Sequence, residues 1–221
     1  LKKGLVPEIV KTGDTSGLWA KQNHLERTDF MQQASWGGKI LIASDIHGSA
    51  LYCEKLLEAA RREGALRILL LGDILYHGPR NDLPDGYAPK FVIGMLNEVR
   101  ERLVCVRGNC EAEVDQMVLD FPVMAEMGLL LLGDRTLYFT HGHIHHKDNP
   151  PPLCRGDILL CGHTHVPALE VLPQFIYMNP GSVSIPKEGS PHGYMTMEGG
   201  LFQWKTLEGE TYREFDIATV S

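Results

Sequence analysis

The hydrophobic pattern of the chain sharpens at Lys39. Lys39-Ile40-Leu41-Ile42-Ala43-Ser44 is a short apolar run bounded by turn residues, and it predicts a buried strand. Beyond it, Cys53, Leu56, Leu57 and Ala60 fall at i, i+3, i+4 and i+7, one face of a helix that ends near Gly64. Ile68-Leu69-Leu70-Leu71 predicts a second buried strand. Pro89 suits the first position of another helix, in which Val92, Met95, Leu96 and Val99 repeat the spacing in spite of Gly94. Leu103-Val104-Cys105-Val106 predicts a third strand. Strand, helix, strand, helix, strand in this order is a βαβαβ unit, which builds a parallel sheet with right-handed crossovers.

Past residue 128 the helical spacing thins out. Leu129 to Leu132, Gly133-Asp134 and Thr136 to Thr140 predict a hairpin. Ile158-Leu159-Leu160-Cys161 predicts another buried strand, and Phe175 to Met178, Tyr194 to Met197 and Leu201 to Trp204 predict three more. Asn149-Pro150-Pro151-Pro152 fits neither a helix nor a central strand. The expected fold is α/β, two sheets with helices outside. Residues 1–38 are polar with scattered apolar positions, and Gly37-Gly38 closes them like a short linker. They are expected to form an N-terminal extension without an assigned role, followed by one domain over residues 39–221.

Composition narrows the function classes. The 221 residues are 43% hydrophobic and 22% charged, an ordinary globular balance that needs no disulfide to hold a core. No apolar run approaches the roughly eighteen residues of a membrane span, and no signal-like apolar stretch opens the chain. A cytoplasmic protein without membrane partners is expected. A net charge of −7 argues against coating duplex DNA, while leaving room for a small anion at a locally positive site. Five cysteines without a CxxC pair fit reduced thiols better than a zinc ribbon or a thioredoxin-like motif.

The anomaly is histidine: of ten, six fall between His141 and His165. The strand ends explain why this matters. The first runs into Asp45-Ile46-His47, the second into Gly72-Asp73, the third into Gly108-Asn109-Cys110-Glu111. The hairpin ends at His141-Gly142-His143 and the next strand at Gly162-His163-Thr164-His165. Ligands of open α/β sheets bind beyond the carboxyl ends of strands. Two carboxylates, one amide and four imidazoles offer hard-to-borderline donors without a thiolate, a set suited to Mn²⁺, Fe, Zn²⁺ or Ni²⁺ and too rich in nitrogen for Ca²⁺. Seven donors exceed the needs of one ion with an open position, whereas a bridging carboxylate would share them between two.

These fragments, in this order, resemble the calcineurin-like metallophosphoesterase superfamily. Ser44-Asp45-Ile46-His47-Gly48, His77-Gly78-Pro79-Arg80-Asn81, Arg107-Gly108-Asn109-Cys110 and Asn179-Pro180-Gly181-Ser182-Val183-Ser184 are similar to its small bacterial YfcE-like phosphodiesterases. The resemblance spans about residues 39 to 210. It implies a four-layer αββα sandwich with two divalent ions per chain, manganese foremost and zinc, iron or nickel as alternatives. Asp45, His47 and His165 would bind the first ion and Asn109, His141 and His163 the second, with Asp73 bridging.

The implied activity is hydrolysis of small phosphodiesters, a hydroxide shared by the two ions attacking phosphorus in line. The positive charge left over by such a centre is neutralised by a diester monoanion and exceeded by a monoester dianion, which favours diesters. Many superfamily members carry histidine directly after the ligand asparagine, as general acid. Cys110 stands there instead, a poorer candidate acid or a small filler beside the metals, so either substrates with good leaving groups are preferred or another donor such as His143 protonates the leaving oxygen.

Arg80 either holds a substrate phosphate or pairs with Asp82 or Asp85. His77, His145 and His146 are expected at the rim or in solvent, His24 and His192 on the surface, and Met95 and Met117 in the core. The alternatives are a nuclease, a cyclic-nucleotide phosphodiesterase, a phosphomonoesterase and a non-catalytic metal-binding scaffold. A homo-oligomer is a possible assembly.

Overall fold

The computed structural model describes residues 38–220. The expected extension, with His24, lies outside the described residues apart from Gly38. Eleven strands form two sheets among the described residues. In the first, β1 (Ile40–Ala43), β2 (Arg67–Leu70) and β3 (Leu103–Cys105) run parallel, and β9 (Gly193–Glu198), β10 (Leu201–Thr206) and β11 (Thr211–Asp216) extend it antiparallel in the order β11-β10-β9-β1-β2-β3. The second has the order β4-β5-β6-β8-β7, from β4 (Met127–Leu132), β5 (Arg135–Thr140), β6 (Asp157–Leu160), β7 (Pro167–Val171) and β8 (Phe175–Pro180). In it β5, β6 and β8 are mutually parallel and the two edges are antiparallel.

The continuous apolar runs arise because these strands are buried on both faces. Leu41 and Ala43 of β1, like Ile68 and Leu70 of β2, pack under the helices, while Ile42, Leu69 and Leu71 turn to the other side. There they meet Leu137, Phe139, Ile158, Leu160, Ile176 and Met178 of the second sheet in the central core. Leu159, Cys161, Phe175 and Tyr177 face outward from that sheet and are covered by Leu153 and Leu172.

Two helices complete the first sheet's cover. α1 (Ala50–Arg62) starts where the Ser49 hydroxyl accepts the Tyr52 N–H at 3.2 Å. It stops in a Schellman turn: Gly64, at φ 63°, donates to the Arg61 carbonyl and Ala65 to that of Ala60, at 3.1 Å each. Cys53, Leu56, Leu57 and Ala60 are its buried stripe, as expected. α2 (Pro89–Glu98) has Pro in its first turn and buries Val92 and Leu96, with Met95 partly buried against them.

Two expectations fail. Met117 lies on the short helix α3 (Glu113–Val118), which buries nothing, and is 82% exposed rather than in the core. His192 is half-buried, not a surface residue: it stacks on Tyr52 at 4.0 Å and bonds the Val183 carbonyl. All five cysteines are free. No described helix is long and apolar enough to cross a membrane.

Candidate metal centre

The carboxyl ends of β1, β2 and β3 and of β5, β6 and β8 open onto one crevice. Its cavity is about 470 Å³ and includes Asp73, Asn109, His163 and His165 in its lining. The chain reaches this arrangement through unusual backbone. Asp45, His47, Asp73, His163 and His165 all have positive φ, between 48° and 67°; only Glu188 joins them among the described non-glycine residues. Such left-handed residues cost of order 1–3 kcal/mol each and persist where the surroundings over-determine them. Close approach does part of this. A side chain at Gly162 would collide with Ser44, and one at Gly72, with φ 90°, would collide with the Gly108 backbone.

Hydrogen bonds then fix which atoms point inward. The Nδ1 atoms of His47, His141 and His165 bond the carbonyls of Tyr76, Leu71 and Ile185 at 2.7, 2.7 and 2.6 Å. A carbonyl only accepts, so each Nδ1 carries hydrogen and each neutral ring turns a bare Nε2 into the crevice. The Nε2 atoms of His47 and His165 are 3.2 Å apart, with Asp45 Oδ1 at 3.5 and 3.3 Å. That oxygen is buried and has no hydrogen-bond partner, while its twin Oδ2 accepts the His163 N–H at 3.0 Å. Three electron-rich atoms converging out of water repel one another unless a cation or proton lies among them.

A second group lies beside the first. His141 Nε2 is 3.1 Å from both Asn109 Oδ1 and His163 Nδ1. Asp73 spans the two groups: its Oδ1 accepts the Cys110 N–H at 2.9 Å, and its Oδ2 is 3.5 Å from His141 Nε2 and 3.7 Å from His47 Nε2. The seven residues expected from the sequence thus come together. The donor types and their inward-facing lone pairs fit divalent transition metals.

Electrostatics follow. Burial would raise the Asp45 carboxyl, but positive charge on the His165 and His47 rings, whose Nε2 atoms approach its Oδ1, overcomes this and holds it well below the usual carboxylate range. Burial would lower His141, yet its Asp73 bond and the two carboxylate charges lift it to about 9. Burial and the neighbouring His141 push His163 down to about 4.

Of the candidate proton donors, Cys110 has its sulfur 3.3 Å from Asn109 Nδ2, and burial followed by the Asp73 charge drives its thiol far up. His143 has its ring 5.4 Å from that of His141, and its buried Nδ1 lacks a partner; burial and His141 lower its pKa. Arg80 lines the crevice and, among the described residues, has neither Asp82 nor Asp85 within ion-pair distance. His77 is half-buried between Tyr76 and Tyr87, and His145 and His146 are half-buried too.

Other contributors carry no metal-like signature in the sequence. Glu111 is buried and accepts the backbone N–H groups of Asp73, Ile74 and Gly108 at 2.9, 2.7 and 2.5 Å, clamping the second strand end to the third. Ser182 and Ser184 both donate to the Asp45 carbonyl, at 2.9 and 3.0 Å. Asn179 holds the Gly162 carbonyl at 2.7 Å. Asn179 and Pro180 end β8 and Gly181 follows it, so this fragment, one of those that carry the resemblance, stands at a sixth strand end beside the ligand fragments.

Known proteins share this plan. Over 173 residues the chain is 49% identical to phosphodiesterase YfcE of Escherichia coli strain K12, covering 78% of this chain and 94% of that one. It is 26% identical over 188 residues to the probable metallophosphoesterase YsnB of Bacillus subtilis strain 168, covering 81% and 91%. The solved structure of the YfcE phosphoesterase from E. coli superposes with a TM-score of 0.78 at 44% identity, covering 81% of this chain and 99% of that one. The family model described as the calcineurin-like phosphoesterase superfamily domain matches residues 39–199, a span that contains all seven converging side chains. This chain belongs to the calcineurin-like phosphoesterase superfamily.

Proposed function

We propose that the protein is a metal-dependent phosphodiesterase acting on small phosphodiesters. The observation that carries the reading is the convergence of carbonyl-fixed imidazoles and the partnerless Asp45 oxygen on one crevice. The 49% identity to a protein named phosphodiesterase supports the diester class. Asp45, His47 and His165 would hold one cation, Asn109, His141 and His163 a second, and Asp73, facing both groups, would be shared. Two divalent cations, manganese foremost with zinc, iron or nickel as alternatives, would polarise the phosphoryl oxygens and bring the pKa of water toward neutrality.

The chain's own groups do the rest. The carbonyls of Tyr76, Leu71 and Ile185 hold three imidazoles in the metal-binding tautomer. The Cys110 N–H fixes Asp73 through Oδ1, leaving Oδ2 to face the centre. Arg80, with no carboxylate partner among the described residues, lines the crevice and receives an anionic group of the substrate. Cys110 and His143 border the site as candidate proton donors; burial raises the Cys110 thiol and lowers His143, so each is shifted away from efficient acid duty and leaving groups that need no proton are preferred. The five free cysteines support a reducing, cytoplasmic setting. Exposed Leu129 and Leu131 on edge strand β4 support a second subunit.

The test is a panel of aryl diesters, aryl monoesters, cyclic nucleotides and dinucleotides on remetallated protein. Asp73→Asn keeps the size of the shared residue and removes its charge. Diester hydrolysis that falls at least about a hundredfold in this variant supports the reading, and activity surviving in it refutes the sharing role.

A further inference from the structure

Two cations in the crevice lie outside the metal-binding argument. Arg80 follows β2 of the first sheet and Lys187 follows β8 of the second, and both line the same cavity. Each rides on a pinned loop. Asn81 Nδ2 donates to the His77 carbonyl at 2.8 Å and closes the turn that carries Arg80, with Gly78 at φ 80° inside it. The Lys187 N–H donates to the carbonyl of His165 at 3.2 Å, tying this residue to the metal centre. The Lys187 carbonyl accepts both the N–H and the hydroxyl of Ser190, at 3.0 and 2.6 Å, across Glu188 and Gly189 at positive φ.

Both side chains are exposed, and among the described residues neither has a carboxylate within ion-pair distance. On a chain with 28 acidic and 21 basic side chains, two unpaired cations held on facing loops of one crevice form a site for negative charge. The rest of the lining is polar or small, Asn81 and Thr164 among it; its rings are the imidazoles of His163 and His165, already assigned to the metal centre, and among the described residues no Phe, Tyr or Trp lines it as a platform for a nucleobase.

We propose that the crevice selects phosphodiesters whose non-leaving arm ends in a second anionic group, a carboxylate or a phosphate, received by Arg80 and Lys187. This rests on the phosphodiesterase reading and adds to it the charge and polarity of the substrate. Lys187 is then a specificity residue, and nucleoside arms are poorly matched.

The test is a set of p-nitrophenyl diesters with one leaving group and different second arms: 2-carboxyethyl, 2-phosphoethyl, 2-hydroxyethyl, choline and 5′-thymidyl. The anionic arms should exceed 2-hydroxyethyl in kcat/KM by about fivefold or more, with choline last. The better of the two anionic arms identifies the preferred group. The anionic advantage should shrink with added salt while the 2-hydroxyethyl ester changes little, a measurement on the unaltered protein. Lys187→Glu should flatten or invert the order. A choline or 2-hydroxyethyl ester turned over as fast as the anionic ones, a salt-independent order, or a preferred thymidyl ester would overturn the proposal. Equal turnover of all five removes the charge selection alone; turnover of none by the remetallated protein removes the phosphodiesterase reading itself.

Discussion

The Nε2 atoms of His47 and His165 face each other at 3.2 Å across 118 positions of sequence, while Nδ1 of each ring is held by a carbonyl. Neither ring can turn its hydrogen inward without losing that bond. The pair is therefore stable only around positive charge, and removing metal should cost folding stability. For one ion held at a hundred times its Kd the gain is about 2.7 kcal/mol, which for a chain of this size is about 5–10 °C in Tm. Calorimetry of chelator-treated and remetallated protein measures it; equal Tm values would show that the pair needs no cation.

In the metal-free protein the pH dependence has two limbs. His141 has its pKa raised from 6.5 to about 9, so the folded state binds a proton that the unfolded state releases. Its stabilisation is complete below about pH 6.5 and is lost as pH rises through about 9. His163 goes the other way. Lowered to about 4, it stays neutral in the fold where the unfolded chain charges, so stability falls as pH drops from 6.5 toward 4. Denaturant unfolding in chelator should find maximum stability near pH 6–7. Bound metal takes the place of the His141 proton, so metal affinity should rise with pH. Stability that is flat from pH 6.5 to 9 without metal would contradict the His141–Asp73 coupling.

Leaving-group protonation is the weak point of the site. Cys110 is held protonated well above its usual range and His143 is pushed below its own. Turnover of diesters should fall steeply as the leaving-group pKa rises, alkyl esters being at least about a hundredfold slower than aryl esters. Cys110→Ser should leave that slope unchanged, and His143→Gln should steepen it if His143 supplies the residual proton. A shallow slope in the unaltered protein would reveal an efficient acid at the site.

Glu111 supports the centre without facing it. Its carboxylate is the acceptor for three buried N–H groups, two of them on the Asp73 segment. Glu111→Gln presents an amide N–H₂ to at least one of those donors and should cost about 2–4 kcal/mol. Weaker metal binding should accompany the lower Tm, because Asp73 loses its anchor. Unchanged stability would mean that the clamp is dispensable.

The elements legible in the sequence are those buried on both faces or along one stripe. β1, β2 and β6 read as continuous apolar runs because their alternate residues enter two cores, and α1 shows its stripe because Cys53, Leu56, Leu57 and Ala60 all pack inward. α3 left no such signal because none of its residues is buried. β11 is exposed along most of its length and β7 is only half-buried, beginning on Pro167, so neither alternates clearly. The metal-binding side chains were legible for a chemical reason: Asp, Asn and His recur after strand after strand. Glu111 was not, since its partners are backbone N–H groups, which leave no trace in side-chain pattern. Lys187 sits on a loop where any cation looks solvated until its neighbours are known.

The most direct measurement is the number and position of ions in remetallated crystals, by anomalous scattering alongside elemental analysis of the same protein. Two ions per chain are expected, one within reach of Asp45, His47 and His165 and one within reach of Asn109, His141 and His163, with Asp73 between them. Fewer than two ions at these positions, under conditions that support full diester hydrolysis, would contradict the account.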